Sequence, residues 1–328
     1  MFLDIFCNVY RGSEVESVHQ VYAVAVDSNG DILLSSGDPQ YKTCIRSSLK
    51  PFQASVCVES GAADEFGFDE EELAVMCASH NGEEIHTSTV SRMLKKIGID
   101  SSYYQCGSHP PYDKNTRQSL LKEKVKLSPL HNNCSGKHAG MLATAKRLGH
   151  DLKDYIHVQH PIQQKILSTL KEITGESDFI LTTDGCSAPT PFMSLYQIAV
   201  MFQKLASENY PILSRLYSAM VSYPYLVAGR KRFDTDFMQV MSGRAVTKVG
   251  AEAVRGVGIR QKNGNPIGIA VKVLDGSQRA NPSGTIAFLK EMGLLKDNEL
   301  SKLSSYETVE LFNYRKIMVG KISGSIQR

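Results

Sequence analysis

At 328 residues the chain is long for one domain and short for two, and its 42% hydrophobic content is ample for a packed core. The formal charge is only +3, and the charged residues, 22% of the total, are spread without long runs of one sign. This excludes the electrostatic footprint of a protein that binds nucleic acid or an anionic membrane. No run of 18 apolar residues is present to span a bilayer, so we expect neither partner.

The start of the chain and its cysteines indicate the compartment. Asp4 comes early and no basic residue precedes it, which argues against a secretion signal. The seven cysteines are an odd number, and without such a signal they predict free thiols in a reducing environment. We therefore expect a cytoplasmic protein.

The N-terminal part predicts a β-hairpin followed by a helix. Residues 21–35 alternate around an Asn-Gly pair, a strong signal for a hairpin turn. Ser47 and Lys50 follow, and their spacing puts both side chains on one face of a helical turn. Pro51 fits only the first turn of a helix, so Ser47 should lie at or just before the helix start.

The middle of the chain predicts helices. Asp69, with Glu72 three residues later, forms a capping-box pattern. Pro161 suits a first helical position, and apolar residues follow it at helical spacing. Residues 192–205 are apolar on nearly every side, which predicts a central buried helix.

The C-terminal part returns to β-structure, with a second Asn-Gly hairpin at 258–273 and a short strand at 317–319. The predicted fold class is therefore α/β (α+β), with an antiparallel sheet from both chain ends and a large helical insertion between them. We expect a single two-lobed domain. Its predicted bounds are 1–328 for the whole domain, approximately 1–50 and 245–328 for the sheet lobe, and approximately 51–244 for the helical lobe.

Three short motifs carry groups suited to acyl transfer: Ser47 with Lys50, Ser79 in Ser-His-Asn, and Lys248 in Lys-Val-Gly. A serine hydroxyl is a weak nucleophile until a base accepts its proton, and a partly desolvated lysine can be that base. A second serine and a second lysine would complete a proton relay, as in the serine–lysine arrangement of penicillin-recognising hydrolases. Lys272, on a neighbouring predicted strand, competes with Lys248 for the role of second lysine.

A second cluster of reactive residues surrounds Cys134, which Lys137 and His138 follow at helical spacings. Cys186 lies in a turn of small residues ahead of the predicted buried helix. Two thiolates and one nitrogen can hold zinc and leave a fourth position open. Spacing alone leaves two other interpretations: ordinary free thiols near a turn, or a cysteine nucleophile with His138 as its base.

Six segments, spread over most of the chain, resemble the rhizobial-type (class 3) L-asparaginase family. The block from Asn132 to Leu142 is the most specific of them. The matching segments are Arg46–Ala54, Ala78–Glu83, Asn132–Leu142, Asp184–Pro189, Gly229–Thr235 and Lys248–Glu252.

The resemblance implies a serine β-lactamase/glutaminase-like fold, a homodimer, and hydrolysis of L-asparagine to L-aspartate and ammonia. It implies three groups of site residues: catalytic Ser47, Lys50, Ser79 and Lys248; zinc ligands Cys134, Lys137 and Cys186; and pocket residues Arg46, His138 and Asp184. Three alternatives stay open: a zinc-dependent amidohydrolase in which metal-bound water attacks, a glutaminase, and a non-catalytic amino-acid-binding module.

Overall fold

In the computed structural model, which describes residues 2–328, the chain divides into two compact units. The first unit contains the segments up to Ser48, Met193–Ser207 and Asp236–Arg328; the second contains Leu49–Phe192 and Glu208–Thr235. The first unit thus includes residues 193–207 and 236–244, which the sequence pattern assigns to the helical lobe. That the two units form a single domain stays a prediction.

Most of the strands belong to the first unit. The strands are β1 (Phe2–Arg11), β2 (Glu14–Val26), β3 (Ile32–Ser36), β4 (Lys42–Cys44), β5 (Leu181–Thr183), β6 (Pro189–Ser194), β7 (Ala245–Gly250), β8 (Val254–Arg260), β9 (Pro266–Val273), β10 (Thr308–Phe312) and β11 (Met318–Gln327). Eight of them form one sheet in the order β10-β11-β1-β3-β2-β9-β8-β7. All neighbouring pairs in this sheet are antiparallel except for a two-residue parallel contact between β1 and β3.

Both predicted hairpins are present, because the glycine of each Asn-Gly pair can adopt the positive φ that a tight turn requires. Gly30, between β2 and β3, has φ 86°, and Gly264, between β8 and β9, has φ 81°. The predicted fold class, an antiparallel sheet from both chain ends with a helical insertion, is confirmed. The predicted strand at 317–319 is the start of the longer β11.

The helices are α1 (Lys50–Glu59), α2 (Ala62–Glu65), α3 (Glu70–Met76), α4 (Glu84–Ile97), α5 (Lys114–Lys122), α6 (Ser135–Arg147), α7 (Pro161–Thr174), α8 (Leu195–Ala206), α9 (Pro211–Ser222), α10 (Pro224–Val227), α11 (Phe233–Met241), α12 (Asn281–Glu291) and α13 (Asp297–Glu307). The Asp69–Glu72 capping box opens α3, and Pro161 begins α7, as predicted. No helix within residues 2–328 is long and apolar enough to cross a bilayer.

The apolar helix predicted at 192–205 begins later, at Leu195, and belongs to the sheet unit. A capping box between Ser194 and Gln197 fixes its start, and the residues before it finish β6. A Cβ on Gly256 would lie 1.9 Å from the Phe202 ring, so small residues in the strands let α8 approach closely. The helix is apolar on most sides because it covers this face of the sheet.

α12 covers the opposite face of the same sheet. Arg255 alternates with Gly256 along β8 and therefore points away from α8. Its Nε donates to Asn281 Oδ1 of α12 at 2.6 Å. The first unit is thus a sheet between two helical layers, and β7, which carries Lys248, forms one edge of that sheet.

Candidate active site

Ser47 lies in a short 3₁₀ helix, Arg46–Leu49, that continues directly into α1. Pro51 occupies the first turn of α1, so Ser47 lies just before the helix, as the proline predicts. Arg46 has φ 50°, a left-handed conformation that a non-glycine residue adopts at a cost. The surrounding structure must therefore hold this turn in place.

The Ser47 turn is attached to β7 within the first unit. The fully buried Ser48 hydroxyl donates to the Lys248 carbonyl oxygen at 2.9 Å. A Cβ on Gly250 would lie 2.6 Å from the Ile45 carbonyl oxygen, so the strand can approach the turn only with glycine at that position. The residue after the nucleophile candidate is thus bonded to the backbone of Lys248.

Two buried lysines were candidates for the second catalytic lysine. Lys248 is fully buried on β7, and its Nζ donates to the Val249 carbonyl oxygen at 2.7 Å. Lys272 lies two strands away on β9, where its Nζ donates to the Glu252 carbonyl oxygen. Burial lowers the pKa of Lys272. Of the two, Lys248 is on the strand that bonds to the Ser47 turn.

In the second unit, Lys50 lies against Ser79. Lys50 is fully buried, and its Nζ is 2.9 Å from Ser79 Oγ. The same Nζ is 2.5 Å from the Ala78 carbonyl oxygen and 3.3 Å from that of Asn133. Three acceptor oxygens thus surround the amine, which donates to each of them, and the Ser79 hydroxyl is the one of the three that can itself gain or lose a proton. This geometry allows a proton to pass between the two side chains. The pairs expected from the sequence, Ser47 with Lys50 and Ser79 with Lys248, stay predictions.

Backbone and side-chain hydrogen bonds fix the Ser79 segment. The Ser79 and Asn81 amides donate to the carbonyl oxygens of Val227 and Ala228 at 3.0 and 2.8 Å. His80 Nδ1 accepts from the Gly82 amide at 3.1 Å, so its Nε2 carries the hydrogen and donates to Ser135 Oγ at 2.9 Å.

This histidine is held in its neutral form. Burial, followed by the nearby positive charges of His86 and Lys50, lowers the pKa of His80 well below its usual value. The neutral ring therefore links the Ser79 segment to the start of α6.

The cysteine cluster is assembled in the second unit at that start of α6. Cys134 immediately precedes the helix, Lys137 is on its first turn, and Cys186 comes from the turn between β5 and β6. All three are buried, and Lys137 Nζ is 2.9 Å from Cys186 Sγ. Glycines at 136 and 140 let α6 pack tightly on α3, because a Cβ at 136 would lie 2.1 Å from the Val75 carbonyl oxygen.

The pKa values of the two cysteines are shifted in opposite directions. A hydrogen bond from the Cys134 thiol, with the Lys137 and His138 charges, lowers the pKa of Cys186 well below that of a free thiol. The same hydrogen bond and burial raise the pKa of Cys134. Burial opposes the charge of Lys137, but the neighbouring Cys186 thiolate outweighs it and raises the pKa of Lys137. The positive charge of Lys137 thus favours the thiolate form of Cys186, while Cys134 favours the thiol form.

This donor set fits a zinc ion if two protons leave. Cys134 and Lys137 would each lose a proton, giving two sulfur ligands and one nitrogen ligand with a fourth position open. Within residues 2–328, no group of three or more His, Cys, Asp and Glu side chains is arranged to hold a metal. A metal bound here would therefore require Lys137 as a ligand.

The predicted pocket residues His138 and Asp184 lie beside this cluster. His138 Nδ1 is 2.7 Å from the Tyr155 hydroxyl. His138 Nε2 is buried and, in the described part of the chain, has no hydrogen-bond partner. Asp184 precedes the Cys186 turn, and its Oδ1 accepts from the Gly185 amide at 2.8 Å. The charge of the Cys186 side chain acts on this ring, and a buried polar atom without a close partner is costly.

Sequence analysis assigned no role to Glu83, yet its buried carboxylate joins two segments of the second unit. It accepts from the Tyr225 hydroxyl at 2.6 Å, from the Arg230 amide at 3.0 Å and from Asn81 Nδ2 at 3.2 Å. Burial opposes ionisation, but these donors prevail and lower the pKa of Glu83. In the sequence, Gly229 was the residue that could have pointed to this contact. Its φ of 115° lets the backbone pass close to the Glu83 carboxylate.

Comparison with known proteins places the chain in a sequence family. The family model of L-asparaginase II matches residues 7–324. No curated relative matches the chain at a significant level.

The solved structures that resemble the chain are distant from it. Mglu in its L-glutamate binding form is 13% identical with TM-score 0.44, over 85% of this chain and 63% of that chain. A Bacillus glutaminase is 10% identical with TM-score 0.38, over 84% and 91%. A β-lactamase from Sphaerobacter thermophilus is 12% identical with TM-score 0.41, over 84% and 92%. The match thus spans less than two thirds of the length of Mglu, and likenesses this loose say nothing about activity.

Proposed function

The chain belongs to the L-asparaginase II family, and we propose that it is an L-asparagine amidohydrolase that releases L-aspartate and ammonia. The family supports an amidohydrolase over nearly the whole chain; the substrate and the mechanism are our proposals. The observation that carries the mechanism is the buried contact of Lys50 Nζ with Ser79 Oγ at 2.9 Å. Lys50 and Ser79 are in hydrogen-bonding contact, and Ser47 lies three positions before Lys50 in the chain. Together these residues supply the groups that serine–lysine catalysis requires.

The first half of the reaction forms an ester. Ser47 Oγ attacks the side-chain amide carbon of asparagine, and its proton passes to Lys50 or, through Ser79, to Lys248. Backbone N–H groups of Ser47 and of β7 near Gly250 stabilise the oxyanion; one such donor typically contributes about 3 kcal/mol. The nitrogen of the leaving group takes up the proton, the C–N bond breaks, and ammonia departs.

The second half hydrolyses the ester. Water attacks the acyl carbon and gives a proton to the lysine that is then neutral. The bond to Ser47 Oγ breaks, the lysine returns that proton to Ser47 Oγ, and aspartate is released. One lysine must be neutral at the attack step while the other can stay charged.

We further propose that Cys134, Lys137 and Cys186 hold zinc. When bound, the ion would supply positive charge that orients the α-amino and carboxylate groups of the substrate. His138 and Asp184 would complete that end of the pocket, and Arg46 would line it. From the family resemblance we also propose a homodimer. A cytoplasmic location stays a prediction from the sequence.

An ammonia-release assay with L-asparagine and with L-glutamine, each with and without added zinc, tests the proposal. We expect turnover of L-asparagine, with a lower KM in the presence of zinc. Turnover of L-glutamine alone would identify a glutaminase instead. Binding of L-asparagine without release of ammonia from either amide would identify a binding module and contradict the proposal.

A further inference from the structure

Arg232 is a fixed cation beside the Ser79 segment to which the mechanism above gives no role. Its Nη1 donates to Asn81 Oδ1 at 2.9 Å, and its guanidinium lies 5.9 Å from the centre of the Tyr112 ring. Both contacts are in the second unit and hold the guanidinium in one place. The side chain is partly buried, unlike the exposed Arg230 and Lys231 before it.

The support beneath Arg232 is rigid. Asn81 Nδ2 donates to Glu83 Oε1 at 3.2 Å and to the Arg230 carbonyl oxygen at 3.0 Å, which orients the amide oxygen toward Arg232. A Cβ on Gly229 would lie 2.5 Å from Glu83 Oε1, so the loop fits the carboxylate closely. The guanidinium therefore needs little reorganisation to bind a ligand.

Arg232 differs from its neighbour Arg230 in its charge balance. Arg230 Nη2 is 3.4 Å from the buried carboxylate of Glu83. In the described part of the chain, by contrast, no carboxylate forms an ion pair with Arg232. A guanidinium has five N–H donors in a planar fork, and one contact to Asn81 leaves four, enough for a paired contact to a carboxylate.

The position of Arg232 relative to Ser79 suits a small amino acid. Ser79 and Asn81 are two residues apart in the chain, and a segment of two residues spans at most about 7 Å. The positive charge of Arg232 also reaches His80, which lies between them, because it contributes to the lowered pKa of that ring. A substrate of four carbons can reach across such a gap.

We propose that Arg232, held by Asn81, binds the α-carboxylate of the substrate and so determines specificity for an amino acid over an uncharged amide. This inference rests on the proposed amidohydrolase function and adds the residue that recognises the anionic end of its substrate. Arg232 takes no part in bond making; its charge and its paired N–H groups favour a ligand with a carboxylate.

The test compares two substrates that differ only in that group: L-asparagine and 3-aminopropanamide, which is asparagine without its carboxylate. In Arg232→Met we expect kcat/KM for L-asparagine to fall about 100-fold, mainly through KM. For 3-aminopropanamide it should change less than about 3-fold. Arg232→Lys, which keeps the charge but not the planar fork, should lie between the two.

Lys231→Met is the matched control, because it removes one positive charge from the adjacent, exposed residue. It should alter kcat/KM for either substrate less than about 3-fold. Equal losses for both substrates in Arg232→Met, or an unchanged preference for L-asparagine, would overturn the inference. If Arg232→Met fails to fold, the same comparison in Arg232→Lys decides, and an unchanged preference there would overturn it.

A binding measurement separates this inference from the proposed function. Calorimetric titration of L-asparagine into Ser47→Ala, with and without Arg232→Met, needs no turnover. If the wild-type protein releases no ammonia yet Arg232→Met weakens binding about 100-fold, the proposed function fails and the carboxylate site stands. If Arg232→Met leaves the affinity unchanged, the carboxylate site fails whatever the activity.

Discussion

Lys50 Nζ lies 2.9 Å from Ser79 Oγ and also contacts the carbonyl oxygens of Ala78 and Asn133. These contacts hold the buried amine from three directions. The Ser79 hydroxyl is the contact through which a proton can reach or leave the amine. The lysine of the first motif is thus directly connected to the serine of the second. This contact fits the proposed relay, in which a proton passes between Lys50 and Ser79.

Removal of the Ser79 hydroxyl should therefore slow the chemical step. We expect Ser79→Ala to lower kcat for L-asparagine between about 100- and 10,000-fold, the usual contribution of a positioned proton-transfer group, with KM little changed. Steady-state ammonia release measures both constants. Ser88→Ala, an exposed serine on α4, is the control and should behave as wild type. A kcat for Ser79→Ala within about 2-fold of wild type would exclude Ser79 from the relay.

The attachment of the Ser47 turn to β7 should matter for both stability and rate. Ser48→Ala removes the bond to the Lys248 carbonyl and leaves that buried oxygen short of a donor, so we expect a loss of about 1–3 kcal/mol in unfolding free energy. The turn would also lose its fixed position, and kcat should fall. Denaturant unfolding and ammonia release measure the two effects.

A second change at the same contact acts by steric conflict. In Gly250→Ala the new Cβ would lie 2.6 Å from the Ile45 carbonyl oxygen, so either the strand or the turn must move. We expect a lower Tm together with a lower kcat. Wild-type values of both would show that the close approach of β7 to the turn is not required.

Acid should destabilise the protein through its buried histidines. Burial lowers the folded-state pKa of His80, His86 and His138, so the unfolded chain binds more protons than the folded one once the pH falls below the ordinary value of 6.5. The stabilisation is complete above about pH 6.5, and each histidine removes up to about 1.4 kcal/mol per pH unit below it. Unfolding free energies between pH 7.5 and 5.0 measure this slope.

One variant isolates the histidine contribution. His86 is buried and stacks on His80 at 4.9 Å between ring centres, and His86→Gln removes one of the three titrating histidines. The slope between pH 6.5 and 5.0 should then fall by about a third. The carboxylates with lowered pKa, such as Glu83 and Glu299, lose their contribution only below about pH 4.5. A slope unchanged by His86→Gln would contradict the assignment.

Removal of metal distinguishes a role in binding from a role in attack. If zinc on Cys134, Lys137 and Cys186 orients the substrate, chelation should raise KM and leave measurable kcat at saturating L-asparagine. Added zinc should restore KM. Complete loss of kcat on chelation, with recovery on zinc addition, would favour a metal-bound nucleophile over Ser47.

Local signals in the sequence predicted much of the fold. The two Asn-Gly turns, the Asp69–Glu72 capping box and Pro161 act within a few residues of themselves, so their structural effects follow from nearby sequence. Apolar patterning predicted the helix at 195–206 but not that it packs on the sheet. An apolar residue pattern shows that a helix is buried, but not whether a sheet or other helices cover it.

The candidate site depends on contacts that no local pattern contains. Ser48 and the Lys248 carbonyl are 200 positions apart in the chain, and Lys50 and Ser79 are 29 apart. Family resemblance supplied the identities of the reactive residues and paired Ser47 with Lys50 and Ser79 with Lys248, but it did not predict the contact of Lys50 with Ser79. The supporting contacts of Glu83 and Arg232 were missed because their roles arise only where the Asn81 segment meets residues 225–232.

The central claim is that Ser47 forms an ester with the substrate, and Ser47→Ala tests it most directly. Ser47 and Ala differ by one oxygen atom, so the variant should keep the wild-type Tm. We expect its ammonia release from L-asparagine to fall by more than about 1,000-fold. Near-normal ammonia release from a folded Ser47→Ala protein would contradict the account.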